Sequence, residues 1–302
     1  MKTSLKLWDD AIAAEPEAKA LALSKLAEAL WGEGDQAEAI AVQLELRDFL
    51  NVSGNIADWL DVSWQVGLKY HIIGDSVRAI EMVEETLPEA RAFGSNHNYG
   101  FLNLLKGYAL TEVEDFTGAV VCMTKAADAF SLDENTEMVA DALLSRAGIH
   151  VTLSDSEAAT RDYADARQLF ESAGKADRVL ETILEYGEFQ FDLSKYGLSR
   201  NLIHDALHLA RFLRDLDSEQ KAFRLLGECH SLMNDSATAI SLFKRAIAIR
   251  DSVEQQKESA RAMLALSQHN YRNGEEALGA KQRMEVVPIL EALGLPGLTA
   301  EK

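Results

Sequence analysis

The sequence repeats a turn motif every forty residues. Residues 34–40 read GDQAEAI and residues 74–80 read GDSVRAI, with the Gly-Asp pair, the Ala and the Ile in the same places. Five later segments keep the register: 114–120 (EDFTGAV), 154–160 (SDSEAAT), 194–200 (SKYGLSR), 234–240 (NDSATAI) and 274–280 (GEEALGA). Seven copies without an insertion indicate a repeat protein.

A second column of the repeat contains only small residues. It lies eight residues before each acidic position and comprises Ala27, Gly67, Gly107, Ala147, Gly187, Gly227 and Ser267. An Ala follows twelve residues later in most copies, as in Ala39 and Ala79. Small side chains at two fixed positions are what two helices need where their backbones approach closely.

Each repeat has the local chemistry of helix, turn and helix. Leu23, Leu26 and Leu30 have helical spacing, and the pattern stops at Gly34, a residue that accepts the left-handed conformation at a helix end. Gly74, Asn234 and Gly274 stand at the same place. The residue after each turn is often an acid that would cap the next helix: Asp35, Asp75, Asp155 and Asp235. One helix pair cannot bury its own apolar face, so the copies are expected to stack as a solenoid.

The repeat resembles the tetratricopeptide (TPR) repeat in its small residue, its Gly-Asp turn and its later Ala. Forty residues is longer than the usual unit and is similar to a long-helix variant. The resemblance implies an all-α fold, a right-handed α-solenoid of about seven helix-turn-helix repeats. We predict a capping helix at residues 1–14, seven repeats in one domain at residues 15–293, and a frayed tail at residues 294–302.

The composition excludes several classes of protein. The 302 residues include 30 Lys and Arg against 49 Asp and Glu, a net charge of −19 that disfavours direct binding to nucleic acid or to an acidic membrane. The acidity is uneven: residues 213–302 have a net charge of −1, and the other 212 residues have −18. The only thiols, Cys122 and Cys229, do not make a disulfide scaffold, so we expect a cytoplasmic protein with buried, inert cysteines.

No catalytic or cofactor motif is present in the sequence, and we predict a non-enzymatic protein without a cofactor. There is no phosphate-binding loop and no nucleophile-elbow motif. His204 and His208 stand one helical turn apart, as half of a metal site would, but no third ligand is evident. We therefore predict no metal site.

The resemblance implies that the first helix of each repeat lines a concave groove. Three positions per repeat fall on that helix face: three residues before, one residue after and four residues after the small residue. We call these the groove positions. Together with acidic residues at the edge of the face, they give the predicted binding residues: Trp31, Asp61, Trp64, Leu68, His71, Leu104, Tyr108, Glu112, Asp141, Leu144, Leu184, Glu188, Phe191, Arg224 and Tyr271. The cations Lys221, Arg224, Arg261 and Arg272 are expected to change the sign of this face near its far end.

These residues favour an adaptor that binds a protein or peptide with apolar and basic residues, using aromatic anchors. An alternative for each aromatic side chain is packing within or between repeats. Two other functions fit the same fold. One is a peptide-gated regulator that acts through a partner, and the other is a self-associating scaffold, a homo-oligomer.

Overall fold

The computed structural model describes residues 16–299, so the predicted capping helix at residues 1–14 lies outside the described residues. Within this range the chain forms α-helices, a final 3₁₀ helix and no strand. The helices are α1 (Pro16–Glu33), α2 (Gln36–Ser53), α3 (Ile56–Ile72), α4 (Ser76–Phe93), α5 (Asn96–Glu112), α6 (Phe116–Leu132), α7 (Thr136–Thr152), α8 (Ser156–Ser172), α9 (Ala176–Asp192), α10 (Tyr196–Leu213), α11 (Leu216–Leu232), α12 (Ser236–Ala248), α13 (Val253–Arg272), α14 (Glu276–Ala292) and the 3₁₀ helix Pro296–Thr299. Each odd-numbered helix and the even-numbered helix after it form one predicted repeat, which confirms the all-α helix-turn-helix prediction.

The turns between helices have a period of twenty residues rather than forty. A residue with positive φ occurs at each predicted turn within a repeat, as in Gly34, Gly74 and Asn234. The turns between repeats use the same conformation: Gly54, Gly94, Glu134, Gly174 and Arg214. Each helix from α2 to α12 therefore begins after the same kind of backbone turn.

The acidic residues after the turns cap the second helices, with one exception. The carboxylates of Asp75, Asp155 and Asp235 accept hydrogen bonds from backbone N–H groups three residues later, at 3.1–3.3 Å. Asp35 precedes α2, but its carboxylate accepts no hydrogen bond from the first turn of that helix. The predicted side-chain cap of α2 is therefore wrong. The turn itself forms there through Gly34, whose φ is 90°.

The small-residue column lies where helices contact each other. A Cβ built on Gly227 would lie 2.7 Å from the ring of Phe243 on α12, and one built on Gly187 would lie 2.3 Å from Ile203 on α10. Ala147 and Ser267, in the same column, are buried. These distances show that the column lies where side chains of a packed neighbouring helix leave no room for a larger residue.

The chain, predicted as one solenoid domain, divides into two compact units, one up to Ala166 and the other from Arg167 onward. We call them unit 1 and unit 2. In unit 1 the successive helices from α1 to α7 pack together, and in unit 2 those from α9 to α14 do so. Odd-numbered helices also contact the next odd-numbered helix, α3 with α5 in unit 1 and α11 with both α9 and α13 in unit 2.

The predicted frayed tail is wrong for residues 294–299, the part of it that the structure describes. Residues Pro296–Thr299 form a 3₁₀ helix, and Leu295 and Leu298 pack against a core that contains Val286 and Leu290. Burial of these two leucines holds the segment against the last repeat, because it removes apolar surface from water.

The junction between α12 and α13 breaks the repeat geometry. Helix α12 has 13 residues, α13 has 20, and the intervening turn has no residue with positive φ. Gln220 of α11 is buried there, and its side-chain amide lies 2.7–2.9 Å from the carbonyl oxygens of Ala246, Ile249 and Gln255. A capping box between Ser252 and Gln255 starts α13.

Candidate binding faces

The groove positions of unit 1 bring an aromatic residue, a histidine and a carboxylate together. The rings of His71 on α3 and Tyr108 on α5 stack at 6.1 Å with an interplanar angle of 19°. His71 Nδ1 lies 3.3 Å from Glu112 Oε2, an oxygen that also accepts a hydrogen bond from Ser76. The hydroxyl groups of Tyr108 and Ser145 of α7 are 3.1 Å apart. This cluster joins side chains of three odd-numbered helices.

Tyr108 is the aromatic residue of this cluster with the most accessible surface, at 36% exposed. Glu112 is exposed and His71 is half-buried. A ligand can therefore contact the Tyr108 side chain and the Glu112 carboxylate, which lie on the same helix. The exposed Asp61 of α3 and the half-buried Asp141 of α7 add further acid to the odd-numbered helices of this unit.

The tryptophans of the groove positions contribute mainly to packing. Trp64 is half-buried against the core, and its ring meets Phe101 edge-on with centroids 5.2 Å apart. Trp31 is also half-buried, and Lys69 Nζ lies 5.2 Å from its ring centroid. Leu68 packs partly on the same core. These three side chains support the face more than they extend from it.

Three predicted groove leucines are buried. Leu104 and Leu144 in unit 1 and Leu184 in unit 2 each expose less than a tenth of their surface. They lie at the position three residues before the small residue, which in these copies turns toward the neighbouring helices. Burial of this kind offers a ligand little contact area.

The same positions of unit 2 form an ion-pair cluster around Arg224 of α11. Its guanidinium hydrogen-bonds Glu258 of α13, lies 2.9 Å from Glu228 of its own helix and lies 3.6 Å from Glu188 of α9. Lys221 Nζ lies 2.9 Å from Glu188, and Arg261 lies 3.0 Å from Glu258. The sequence predicts that these three cations make the charge of the groove face positive near its far end. That prediction is wrong, because each cation is paired with a carboxylate.

The cluster shifts the titration of its members. Burial opposes the charge of Arg224, but Glu228 and Glu258 hold its pKa above the usual value. Burial likewise opposes ionisation of Glu188, yet Lys221 and Arg224 keep the pKa of that carboxyl below its ordinary value. The pKa of Glu228 is raised, because the effect of burial is larger than the opposing effect of the Arg224 cation. Burial also raises the pKa of Glu185 and of Asp192.

Two cavities open beside this cluster. One of about 450 Å³ is lined by the charged cluster together with Leu264, Gln268 and Leu298. The other, of about 160 Å³, is lined by Phe191, Ser231, Phe243 and Arg272 and shares Glu228, Ala265 and Gln268 with the first. Phe191 is half-buried, with its ring 5.3 Å from that of Tyr196. Tyr271 is 48% exposed and lines neither cavity.

Sequence reasoning missed two residues of these faces. Phe101 contacts Trp64, and Glu258 binds Arg224. Phe101 stands in the same column of the repeat as Asp61 and Asp141, and Glu258 stands one turn earlier, in the column of Asp58. Both residues lie on the same helix face as the groove positions, one and two helical turns closer to the start of the helix, so a longer search along that face would have found them.

The described residues hold no group of three or more His, Cys, Asp or Glu side chains placed to bind a metal ion. His204 and His208 are exposed on α10 with ring centroids 4.7 Å apart. Between residues 16 and 299, no helix has the length and apolar character needed to cross a membrane.

No family model matches the sequence, and no curated protein sequence matches it. Solved structures share its fold at low identity. A STAND signal-transduction ATPase with a tetratricopeptide repeat sensor from Pyrococcus horikoshii matches with a TM-score of 0.74 and 13% identity, over 94% of this chain and 44% of that one. The apo quorum sensor NprR from B. thuringiensis matches with a TM-score of 0.69 and 16% identity, over 96% of this chain and 81% of that one. A Rap protein in complex with competence and sporulation factor matches with a TM-score of 0.56 and 13% identity, over 95% of this chain and 79% of that one.

This chain thus spans less than half of the STAND protein, and most of the length of the other two. All three cover more than nine-tenths of the chain described above. The comparison confirms the predicted fold, a TPR-like helical repeat solenoid.

Proposed function

We propose that this chain is a non-enzymatic adaptor that binds a protein or peptide through the groove positions of its odd-numbered helices. The observation that carries the proposal is the cluster in unit 1, where the accessible Tyr108 ring lies beside His71 and the exposed Glu112. An aromatic ring with a polar edge is the side chain most often used as an anchor in binding sites.

The charge of the same helices defines the partner. Asp61, Glu112 and Asp141 lie on the same helices as the apolar and aromatic groove positions, so the favoured segment has an apolar side chain beside Lys or Arg. The half-buried Trp31, Trp64 and Leu68 hold the face in place. In unit 2, Glu188, Phe191, Arg224 and Tyr271 would bind a separate part of the partner. Both thiols are free and buried, in keeping with a cytoplasmic protein.

A second candidate function is a regulator gated by a peptide. It is favoured by the structural matches, since two of the matching proteins are described as sensors and a third was solved in complex with competence and sporulation factor. In this function the bound segment would change the affinity of the chain for a second protein. A change in that affinity on adding the segment separates a regulator from a simple adaptor.

The proposal is tested by affinity capture from a lysate of the source organism, with wild type and the variants Tyr108→Ala and Glu112→Gln. Both variants should recover less of the same proteins, Tyr108→Ala most of all, because each removes one side of the anchor site. A matched control is Phe212→Ala, which removes an 80% exposed aromatic ring from the even-numbered helix α10. It should recover as much as wild type.

Equal recovery with all four chains would show that the groove positions of unit 1 do not bind the partner. A sedimentation measurement over a range of protein concentrations tests the self-associating scaffold. A sedimenting mass that rises with protein concentration, and that is lower for Tyr108→Ala, would support a homo-oligomer instead of an adaptor.

A further inference from the structure

Unit 1 has a cleft outside the groove positions. Its volume is about 430 Å³, and it lies between the last turns of α4 and α6 and the first turn of α5. It is lined by Ala90, Arg91, Gly94, Ser95, Asn96, Tyr99, Lys125, Asp128, Ala129 and Leu132. None of the predicted groove residues is in this lining, so the cleft is separate from the adaptor site.

Two cations of the cleft have no partner. Among the described residues, Arg91 and Lys125 form no ion pair, and both side chains are exposed. Several other cations of the unit are paired, such as Arg47 with Glu85 at 2.8 Å and Lys106 with Glu84 at 2.6 Å. In a segment of the chain with a net charge of −18, two free cations at one cleft form a local basic site.

The repeat does not require these cations. Forty residues earlier, Asn51 and Glu85 occupy the positions of Arg91 and Lys125. These two residues lie on α2 and α4, which form the same kind of helix as α4 and α6 with one neutral and one acidic residue there. The basic pair therefore belongs to this cleft and not to the architecture of the repeat.

Apolar surface lies next to the cations. Leu132 lines the cleft and is 72% exposed, and Phe93, at the end of α4, is 54% exposed. Tyr99 and Ala129 extend the apolar part of the wall. Exposed apolar side chains beside unpaired charge fit a protein partner better than a small inorganic anion, because burial of both would be gained together.

We propose that this cleft docks an acidic segment of a partner protein, with carboxylates against Arg91 and Lys125 and an apolar side chain on Leu132. Asp128, three residues after Lys125 on the same helix, repels a carboxylate at its end of the cleft and so orients the segment. The cleft thus selects a sequence of opposite charge from that expected at the groove positions.

The test uses a fluorescently labelled peptide, acetyl-Glu-Asp-Phe-Asp-Glu-amide, and its dissociation constant measured by anisotropy. The cleft variant combines Arg91→Glu with Lys125→Glu. A matched control combines Lys25→Glu with Arg161→Glu, which makes the same change in net charge at two exposed cations that form no ion pair among the described residues. The cleft variant should bind the peptide at least about tenfold more weakly, and the control should bind it like wild type.

The apolar contact is tested by Leu132→Ser. This change should weaken binding of the Phe peptide and leave a peptide with Gly in place of Phe unaffected. Circular dichroism should show the same helix content and melting temperature for all variants, since every substituted side chain is exposed.

Three results would overturn the proposal. One is equal binding of the acidic peptide to wild type and to the cleft variant, or no binding to wild type. Another is tighter binding of a single-stranded oligonucleotide than of the peptide, which would indicate a general polyanion site. The third is self-association of wild type that the cleft variant loses without peptide binding, since the occupant would then be a second copy.

Discussion

Four of the seven small residues in the first helices are glycines, and each lies against a bulky side chain. Gly67 faces Leu105, Gly107 faces Met123, Gly187 faces Ile203 and Gly227 faces Phe243. A glycine in a helix lowers stability by about 0.5–1 kcal/mol relative to alanine. These glycines are therefore explained by the space that their partners occupy.

The substitution Gly227→Ala should lower the free energy of unfolding by about 1–3 kcal/mol, because the new Cβ would lie 2.7 Å from a Phe243 ring that is fully buried. Gly148→Ala is the matched control, since nothing lies within 4 Å of its Cβ position and it is also in a first helix. It should raise the free energy of unfolding by about 0.5–1 kcal/mol. Urea denaturation measures both, and a loss of stability in both variants would contradict the packing explanation.

The residue pattern predicts turns better than it predicts contacts. Gly34, Gly74, Asn234 and Gly274 adopt the left-handed conformation that the sequence predicts. The cap at Asp35 is not made, and the partners of Arg224 could not be predicted. Glu258 is 34 positions away from Arg224, and their contact depends on how α11 and α13 pack as well as on the repeat register.

At the scale of helices, the α12–α13 junction shows where repeat periodicity fails as a guide. A strict twenty-residue spacing predicts a left-handed turn at Glu254, but α13 already begins at Val253. The sequence does contain the local cause, because Ser252 and Gln255 have the spacing of a capping box. The role of Gln220, which comes from another helix, is not visible in that pattern.

Replacement of Gln220 by Leu should destabilise unit 2 by about 1–3 kcal/mol, because buried carbonyl oxygens would lose their donor. Hydrogen exchange should become faster in residues 246–256 than elsewhere. The control is Gln256→Leu in the same segment, an exposed side chain with a single long contact of 3.5 Å. Uniform acceleration across unit 2, or an equal effect of the control, would show that Gln220 does not hold this junction.

Arg224 links three successive first helices through Glu188, Glu228 and Glu258. Arg224→Met should cost about 3–5 kcal/mol at neutral pH, because buried carboxylates would be left without their cation. The cost should shrink as the pH falls and those carboxylates take up protons. Thermal or urea unfolding of both proteins from neutral pH to about pH 4 measures the difference.

The sign of this pH effect follows from the two shifts. The lowered folded pKa of Glu188 gives stability that is complete above its unfolded pKa of about 4.3 and is lost as the pH falls through the folded value. The raised pKa of Glu228 acts in the opposite direction, costing stability when that group ionises. Without Arg224 both carboxyls should titrate at higher pH, so a variant deficit that grows on acidification would contradict this account.

At the scale of the whole chain, charge is distributed unevenly along the sequence. Residues 213–302 have a net charge of −1, whereas the other 212 residues have −18. Those 212 residues contain 18 Lys and Arg against 36 Asp and Glu, and in unit 2 the cations Lys221, Arg224 and Arg261 are paired with carboxylates. Long-range attraction of a basic partner should therefore come from the N-terminal repeats.

Binding of the partner at the groove positions should weaken as salt rises from about 0.05 M to about 0.3 M, because screening shortens the range of the acidic field. Asp61→Asn combined with Glu112→Gln should reduce this dependence. The dissociation constant of the captured partner, measured over the salt series, checks both statements. Binding that does not change with salt would rule out a basic partner, while leaving the acidic-segment cleft unaffected.

The positive-φ turns at twenty-residue intervals make one helix, and not one pair, the unit of chain geometry. Excision of residues 75–114 would place Gly74 directly before Asp115, which restores a left-handed residue followed by a capping aspartate. A chain with this spacing can gain or lose a whole repeat during evolution, because the remaining residues already form a turn of the same kind. Among the helix junctions between residues 16 and 299, only the one between α12 and α13 lacks a positive-φ residue, so a repeat boundary cannot be exchanged there in the same way.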